Sequence, residues 1–205
     1  MAYIGKAPAN SALTADDITD GIIGADKLAT NSVTTVKVSN ANITSGKLAS
    51  GLIPTNTPAF EAYLGSDQTV SSGTATKLAG NTEVFDSDGK YDNSAYRFTP
   101  TVAGKYYIYG SIILNQDQNY LGYGDIRIYK NGSVYKFESF ENVLGNANSY
   151  MHFLSLSICA VIDLDGDDYV ELFGLAANFG GGSTQRFTDG TKSSYFGGYK
   201  LNIWH

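Results

Sequence analysis

Ile126-Arg127-Ile128-Tyr129-Lys130-Asn131-Gly132-Ser133-Val134-Tyr135-Lys136-Phe137 reads as a β-hairpin. Its first arm alternates apolar and polar residues, the period of a strand with one buried face. Asn131-Gly132 suits a type I′ turn, in which both central residues need positive φ, and Val134 to Phe137 is the returning arm. The same alternation runs through Tyr96-Arg97-Phe98-Thr99 and Tyr106-Tyr107-Ile108-Tyr109-Gly110-Ser111-Ile112. The run from Leu154 to Leu164 is apolar enough to predict a strand buried on both sides, with Cys159 a small core residue inside it. Tyr169 to Leu175 and Tyr199 to Trp204 complete the set. About eight to ten short strands without helices predict a β-sandwich or jelly roll.

Composition marks a boundary upstream of these strands. Residues 1–57 contain no Phe or Trp and only Tyr3, whereas residues 58–205 hold all ten Phe and fourteen of the fifteen Tyr. Pro54-Thr55-Asn56-Thr57-Pro58 sits at the switch and reads as a stiff, extended connector, since each Pro fixes φ and keeps its predecessor out of the helical region. The net charge of −6 argues against nucleic acid as a partner, because phosphate binding needs a basic face, and disfavours an anionic membrane surface. No run of about 18 apolar residues predicts membrane insertion. Met1 to Asn10 lacks the apolar stretch of a signal peptide. Cys159 is the only cysteine, so no intrachain disulfide is available.

The first segment carries a five-residue repeat. Leu13, Ile18, Ile23, Leu28, Val33, Val38, Ile43, Leu48 and Ile53 are nine successive aliphatics at that spacing. On an α-helix, steps of five rotate by about 140° and leave no apolar face. On a flat strand an odd step throws successive residues to opposite faces. To keep all nine on one side the chain must turn or rewind within every unit, as solenoids and multi-chain fibres do. A single-chain coil of about four units per turn would have only about two coils, too few for a stable stack. The pattern therefore favours a shaft of several chains, of at most roughly 130 Å if fully extended.

Two resemblances follow. Gly24-Ala25-Asp26-Lys27-Leu28-Ala29 and Asn31 to Val38 resemble the degenerate repeats of phage tail and fibre proteins, and Met1-Ala2-Tyr3-Ile4-Gly5-Lys6-Ala7-Pro8 resembles the start of many phage structural proteins. That resemblance implies a segment, residues 1–12, that docks on other virion proteins. The second lies downstream. The series Phe98, Gly104, Tyr106, Ile108 looks like the signature of the complement one-q globular head, which carries an aromatic where Ile108 stands. Leu164-Asp165-Gly166-Asp167-Asp168-Tyr169-Val170 and Ser194-Tyr195-Phe196-Gly197-Gly198-Tyr199 resemble two further elements of that family. The resemblance spans residues 58–205. It implies the jelly roll shared with tumour necrosis factor, trimerising about a threefold axis, and similar heads occur at phage fibre tips. Outward Tyr106, Tyr107 and Tyr109 would bury area against neighbouring protomers while their hydroxyls find partners.

Chemistry-bearing patterns are sparse. His152 has no second His or Cys at metal-ligand spacing, and pairing it with Ser149 or Ser155 as a nucleophile has nothing specific behind it. Asp163, Asp165 and Asp167 alternate around Gly166 and are weak candidates for Ca²⁺, though the full EF-hand pattern is absent. Asp86-Ser87-Asp88-Gly89 is a turn, and Gly180-Gly181-Gly182-Ser183 a flexible loop without the context of a phosphate cradle. A tailspike-like carbohydrate-active enzyme usually needs a long groove on a larger domain.

The expectation is therefore an all-β, non-enzymatic chain without cofactor. Residues 1–12 dock on the virion, 13–57 form the shaft and linker, and 58–205 form a jelly-roll head in a homotrimer. Its expected place is the tail or capsid surface, as a tail fibre whose head meets a host surface glycan or protein, or as a decorating protein without a receptor. Candidate loops for contact are Asn115 to Gly124, Asn142 to Ser149 and Asn178 to Asp189.

Overall fold

The computed structural model describes residues 16, 18–30, 32–34, 38, 43–48, 56–117, 121–142, 151–178 and 184–202. The chain divides into two compact units, Met1–Ile53 and Pro54–His205.

In the first unit the backbone rewinds at the repeat period. The carbonyl of Thr19 accepts from the Ile22 N–H at 3.1 Å, Gly24 from Lys27 at 3.0 Å, Ala29 from Ser32 at 2.9 Å and Thr44 from Lys47 at 2.9 Å. Each acceptor follows one aliphatic of the repeat and each donor precedes the next, so one three-residue step is closed inside each of these units. At Ala25–Lys27 and Ser45–Lys47 the turn tightens into 3-10 helix. The price of the odd period is local, and the aliphatics gain no closed core from it: Ile18, Ile23, Leu28, Val33, Ile43 and Leu48 are exposed within the single chain and Val38 is half-buried. Leu13 and Ile53 lie outside the described residues, as do residues 1–12.

The second unit is a two-layer sandwich. Its strands are β1 (Ala59–Tyr63), β2 (Gln68–Val70), β3 (Thr76–Lys77), β4 (Thr82–Asp86), β5 (Tyr91–Asp92), β6 (Arg97–Phe98), β7 (Gly104–Gln116), β8 (Leu121–Lys130), β9 (Ser133–Glu141), β10 (Phe153–Leu164), β11 (Val170–Asn178), β12 (Gln185–Thr188) and β13 (Tyr195–Lys200). One sheet runs β2-β12-β7-β13-β1-β4, with β10 on the other edge of β7; the second runs β5-β6-β11-β8-β9, with β3 also on β11. After β7 the chain crosses to the second sheet for β8 and β9, returns for β10, crosses again for β11 and returns for β12 and β13. This alternation between layers is jelly-roll connectivity.

The hairpin read from sequence forms at β8 and β9, with Asn131 at φ 52° and Gly132 at φ 75°. The core lies between the sheets. Phe60 is fully buried, stacked on Phe98 at 4.3 Å and Tyr91 at 4.9 Å, with Phe196 edge-on at 5.0 Å. Strand alternation supplies the rest: Tyr106, Ile108, Ile112 and Leu114 point inward from β7, and Ile126 and Ile128 from β8.

Four expectations need correction here. Leu154 to Leu164 is not buried on both sides: Ile158, Ile162 and Leu164 face the core, while Phe153, Cys159 and Val161 face outward and are exposed. Only one sheet face is covered by the other layer, so the apolar outward residues are left in the open. Cys159 is accordingly a surface thiol and not a core residue. Tyr106 points inward, and its hydroxyl is satisfied by the Val102 carbonyl at 2.6 Å, while burial pushes its phenol up to about 12. The final strand also ends at Lys200; Ile203 and Trp204 fall outside the described residues.

The gap between the sheets at β9 and β10 is closed by side chains. The β10 carbonyls of Cys159, Val161 and Asp163 accept from Lys136 Nζ at 3.0 Å, the Tyr135 hydroxyl at 3.2 Å and Lys130 Nζ at 2.8 Å.

Candidate functional site

The outer face of the first sheet carries a tyrosine cluster. Tyr107 and Tyr109 alternate outward on β7, and Tyr195 and Tyr199 do so on β13, which pairs Tyr199 with Tyr107 and Gly197 with Tyr109. The rings of Tyr107 and Tyr199 lie 5.6 Å apart, those of Tyr107 and Tyr109 5.9 Å, and those of Tyr109 and Tyr195 6.2 Å. Gly197 makes this possible: a Cβ there would stand 2.5 Å from the Tyr109 ring. The ring crosses the glycine and its hydroxyl donates to Glu61 on β1 at 2.8 Å. Burial, then the Glu61 carboxylate, raises the Tyr109 phenol above its usual range. A hydrogen bond with the Cys159 thiol is the leading cause that raises Tyr107. Tyr107, Tyr109, Ser157, Cys159 and Tyr195 line an open hollow of about 430 Å³ on this face. Rings with an apolar body and a polar tip, half-buried along an open hollow among the described residues, suit a protein contact better than bond-making chemistry.

The signature residues go mostly elsewhere. Phe98, Tyr106, Ile108 and Phe196 are core, and Phe98 meets Tyr106 edge-on at 5.8 Å. Gly198 lies over that core, where a Cβ would be 2.5 Å from Ile108 Cδ1 and 3.1 Å from the Tyr107 carbonyl. Gly104 opens β7 beside the Lys200 side chain. Of the set, Tyr199 alone joins the tyrosine face. The motif thus specifies the sandwich, and the face rests on residues between its members. Cys159 was read as core, and Glu61, Tyr195 and Gly197 were not assigned to a face from sequence, although Tyr195-Phe196-Gly197-Gly198-Tyr199 carries the period of two that places both tyrosines and Gly197 on one side.

The acidic turn holds lysines. Both Asp163 oxygens accept from Lys105 Nζ, at 2.7 and 2.8 Å. Asp168 is clamped by Lys130 at 2.7 Å and Asn131 at 2.6 Å, which hold its carboxyl well below the usual range. Asp165 is raised, first by its hydrogen bond with Asp167. Gly166 sits within this turn. Among the described residues no group of three or more His, Cys, Asp or Glu is arranged to hold a metal. His152 closes the sandwich end, with its Nδ1 3.1 Å from the Gln116 carbonyl.

That end gathers all three candidate loops. The Gln116 N–H donates to His152 at 3.0 Å, Leu121 to Met151 at 3.0 Å, and Asn142 to Gly122 at 2.8 Å, while Asn178 pairs with Leu121 and Gln185 with Gln116. The loops are shorter than expected, because Asn115, Gln116 and Leu121–Gly124 belong to β7 and β8, and Gln185–Thr188 form β12. Residues 118–120, 143–150 and 179–183 lie outside the described residues. The chain enters the sandwich at the other end of β7, where Lys200 donates to the Pro58 carbonyl at 3.1 Å and Leu201 to Lys105 at 2.7 Å.

No family model and no curated protein matches the chain. Solved structures do. Murine APRIL at pH 5.0 superposes with a TM-score of 0.51 at 11% identity, covering 70% of this chain and 98% of that one. Murine APRIL at pH 8.5 gives 0.50 at 12% identity over the same shares. The globular domain of zebrafish complement 1qA protein gives 0.47 at 17% identity, covering 72% of this chain and 99% of that one. The head shares the jelly-roll fold of murine APRIL. At such identities the likeness is one of fold alone.

Proposed function

We propose that this chain is a non-enzymatic fibre protein of a virus particle, assembled as a homotrimer through both of its units, with the head meeting a host surface glycan or protein. One observation carries the reading: two segments of unrelated grammar each leave an apolar surface uncovered in the single chain. In the first unit it is the aliphatic row, and in the head it is the tyrosine face. A cyclic trimer needs two different, complementary patches on each protomer. The tyrosine face is one, and the exposed Val134, Tyr135 and Phe137 along β9 in the other sheet supply a partner for it. The loop-bearing end, a β7 length (roughly 40 Å at about 3.3 Å per residue) from the entry point, is the natural place for host contact. Residues 1–12 dock on other virion proteins in this reading. Deleting them abolishes incorporation into particles; unchanged incorporation would refute the docking role.

The same surfaces fit a protein that decorates a capsid or tail without recognising a receptor. The first experiment measures solution mass and profile by light scattering and small-angle X-ray scattering. A mass near three chains with an elongated profile is expected, and a compact monomer overturns the fibre. Binding of the trimer to intact host cells then separates receptor contact from decoration.

A further inference from the structure

The described turns of the first unit share one plan, and that plan limits what can cover the aliphatic row. In Thr19–Ile23, Gly24–Leu28, Ala29–Val33 and Thr44–Leu48, the first residue accepts, the fourth donates, and the fifth is the aliphatic. Each of these units spends one carbonyl and one N–H on its own closure, so those groups are not available for pairing with a neighbouring strand. Used once in each of these units, they interrupt any continuous ladder of strand pairing along the segment, and the surface that repeats without interruption is the side-chain row. Ile23, Val33 and Ile43 are the most exposed of it, at 52, 57 and 54%. None of the residues at Ala25–Lys27 is buried.

A row with a fixed five-residue step over nine units needs a partner of the same step, or its contacts drift out of phase after one or two units. Residues 58–205 carry no such period. Another copy of this segment does: unshifted alignment brings all nine positions opposite aliphatics, and a cyclic trimer, whose copies are related by rotation about one axis, admits only the parallel sense. We infer that the row is covered by the same row of further copies, running parallel and in register, and held by aliphatic side chains meeting at a common axis instead of by strands paired between chains. This rests on the reading of the chain as a fibre of several copies.

The test uses full-length protein with Cys159→Ser, so that introduced thiols are the only ones. Ile23→Cys and Ile43→Cys are made singly, with Thr30→Cys as an off-row control. After mild oxidation, the row variants give a covalent dimer band with one chain in three left free, because a threefold site can bridge only two thiols at the short Cα separation a disulfide needs. Thr30→Cys gives severalfold less. Co-expressed Ile23→Cys and Leu28→Cys copies cross-link like with like, and 23-to-28 bridges are severalfold rarer. Light scattering on the same samples separates the two levels of failure. A monomer overturns the fibre and this inference with it. A trimer in which 23-to-28 bridges equal like-with-like ones, or in which Thr30→Cys links as well as Ile23→Cys, overturns the register and leaves the fibre standing.

Discussion

The two units handle apolar side chains in opposite ways. In the head, Phe60, Phe98, Tyr106, Ile108 and Phe196 disappear between two sheets of the same chain. In the repeat unit, aliphatics of equal hydrophobicity stand in water in the single chain, on turns each closed by a backbone bond of its own. The head has enough sequence to close a core by itself. The repeat has the local geometry without the second layer. Hydrophobic content therefore says little about who supplies the core; period does, because a period of two can fold a chain onto itself while a period of five leaves a row waiting for its like.

The sharpest way to break that contrast is to open the head's core. Phe60→Ala removes a fully buried ring stacked on two others and is expected to cost about 3–5 kcal/mol, read as a lower denaturant midpoint of the head. If the midpoint hardly moves, the head borrows its core from elsewhere and the contrast fails. Next, Gly198→Ala forces a methyl against Ile108 and the Tyr107 carbonyl, an overpacking worth about 1–3 kcal/mol in the same assay. The counterpart in the repeat is Ile23→Ser. It should leave the head's midpoint where it was, while lowering the recovery of assembled protein in size-exclusion chromatography.

The tyrosines sharpen the comparison through pH. Tyr91, Tyr106 and Tyr109 are all raised, with burial the first cause in each. A raised folded value means the stability they contribute is fully present below the unfolded tyrosine pKa of about 10 and is lost as pH rises beyond it. The head should therefore hold to about pH 10 and unfold toward pH 12, with tyrosinate absorbance rising in step with loss of near-ultraviolet dichroism. The smallest effect belongs to an exposed pair: Lys105→Ala, which frees Asp163, should cost about 0.2–1 kcal/mol and less in high salt.

What could be read in advance divides along the same line. The β8–β9 hairpin was legible because Asn131-Gly132 is a local signal with a local cause. The jelly roll was legible through Phe98, Tyr106, Ile108 and Phe196, which occupy the core. The pentad turn was legible as a necessity of the odd step. The burial of β10 was misread because apolar content alone cannot reveal that only one of its faces is roofed by the other sheet. The tyrosine face was half read: Tyr107 and Tyr109 are outward, but Tyr106 is one residue out of phase with them and points inward. Glu61 and Gly197 escaped because their roles exist only once β1, β13 and β7 are side by side.

The side chains that cross from β8 and β9 to β10 have a consequence for how these heads live together. An unpaired strand edge is ordinarily a template, since its open carbonyls invite another chain to add a strand, the first step toward amyloid-like stacking. On β10 three successive outward carbonyls, those of Cys159, Val161 and Asp163, are already claimed by Lys136, Tyr135 and Lys130. Two of the three donors are charged, so an approaching strand would have to displace lysines as well as win their acceptors. Crowded copies can then meet through side chains without zipping into aggregates, and the lysines act as a safeguard on solubility that leaves the core untouched.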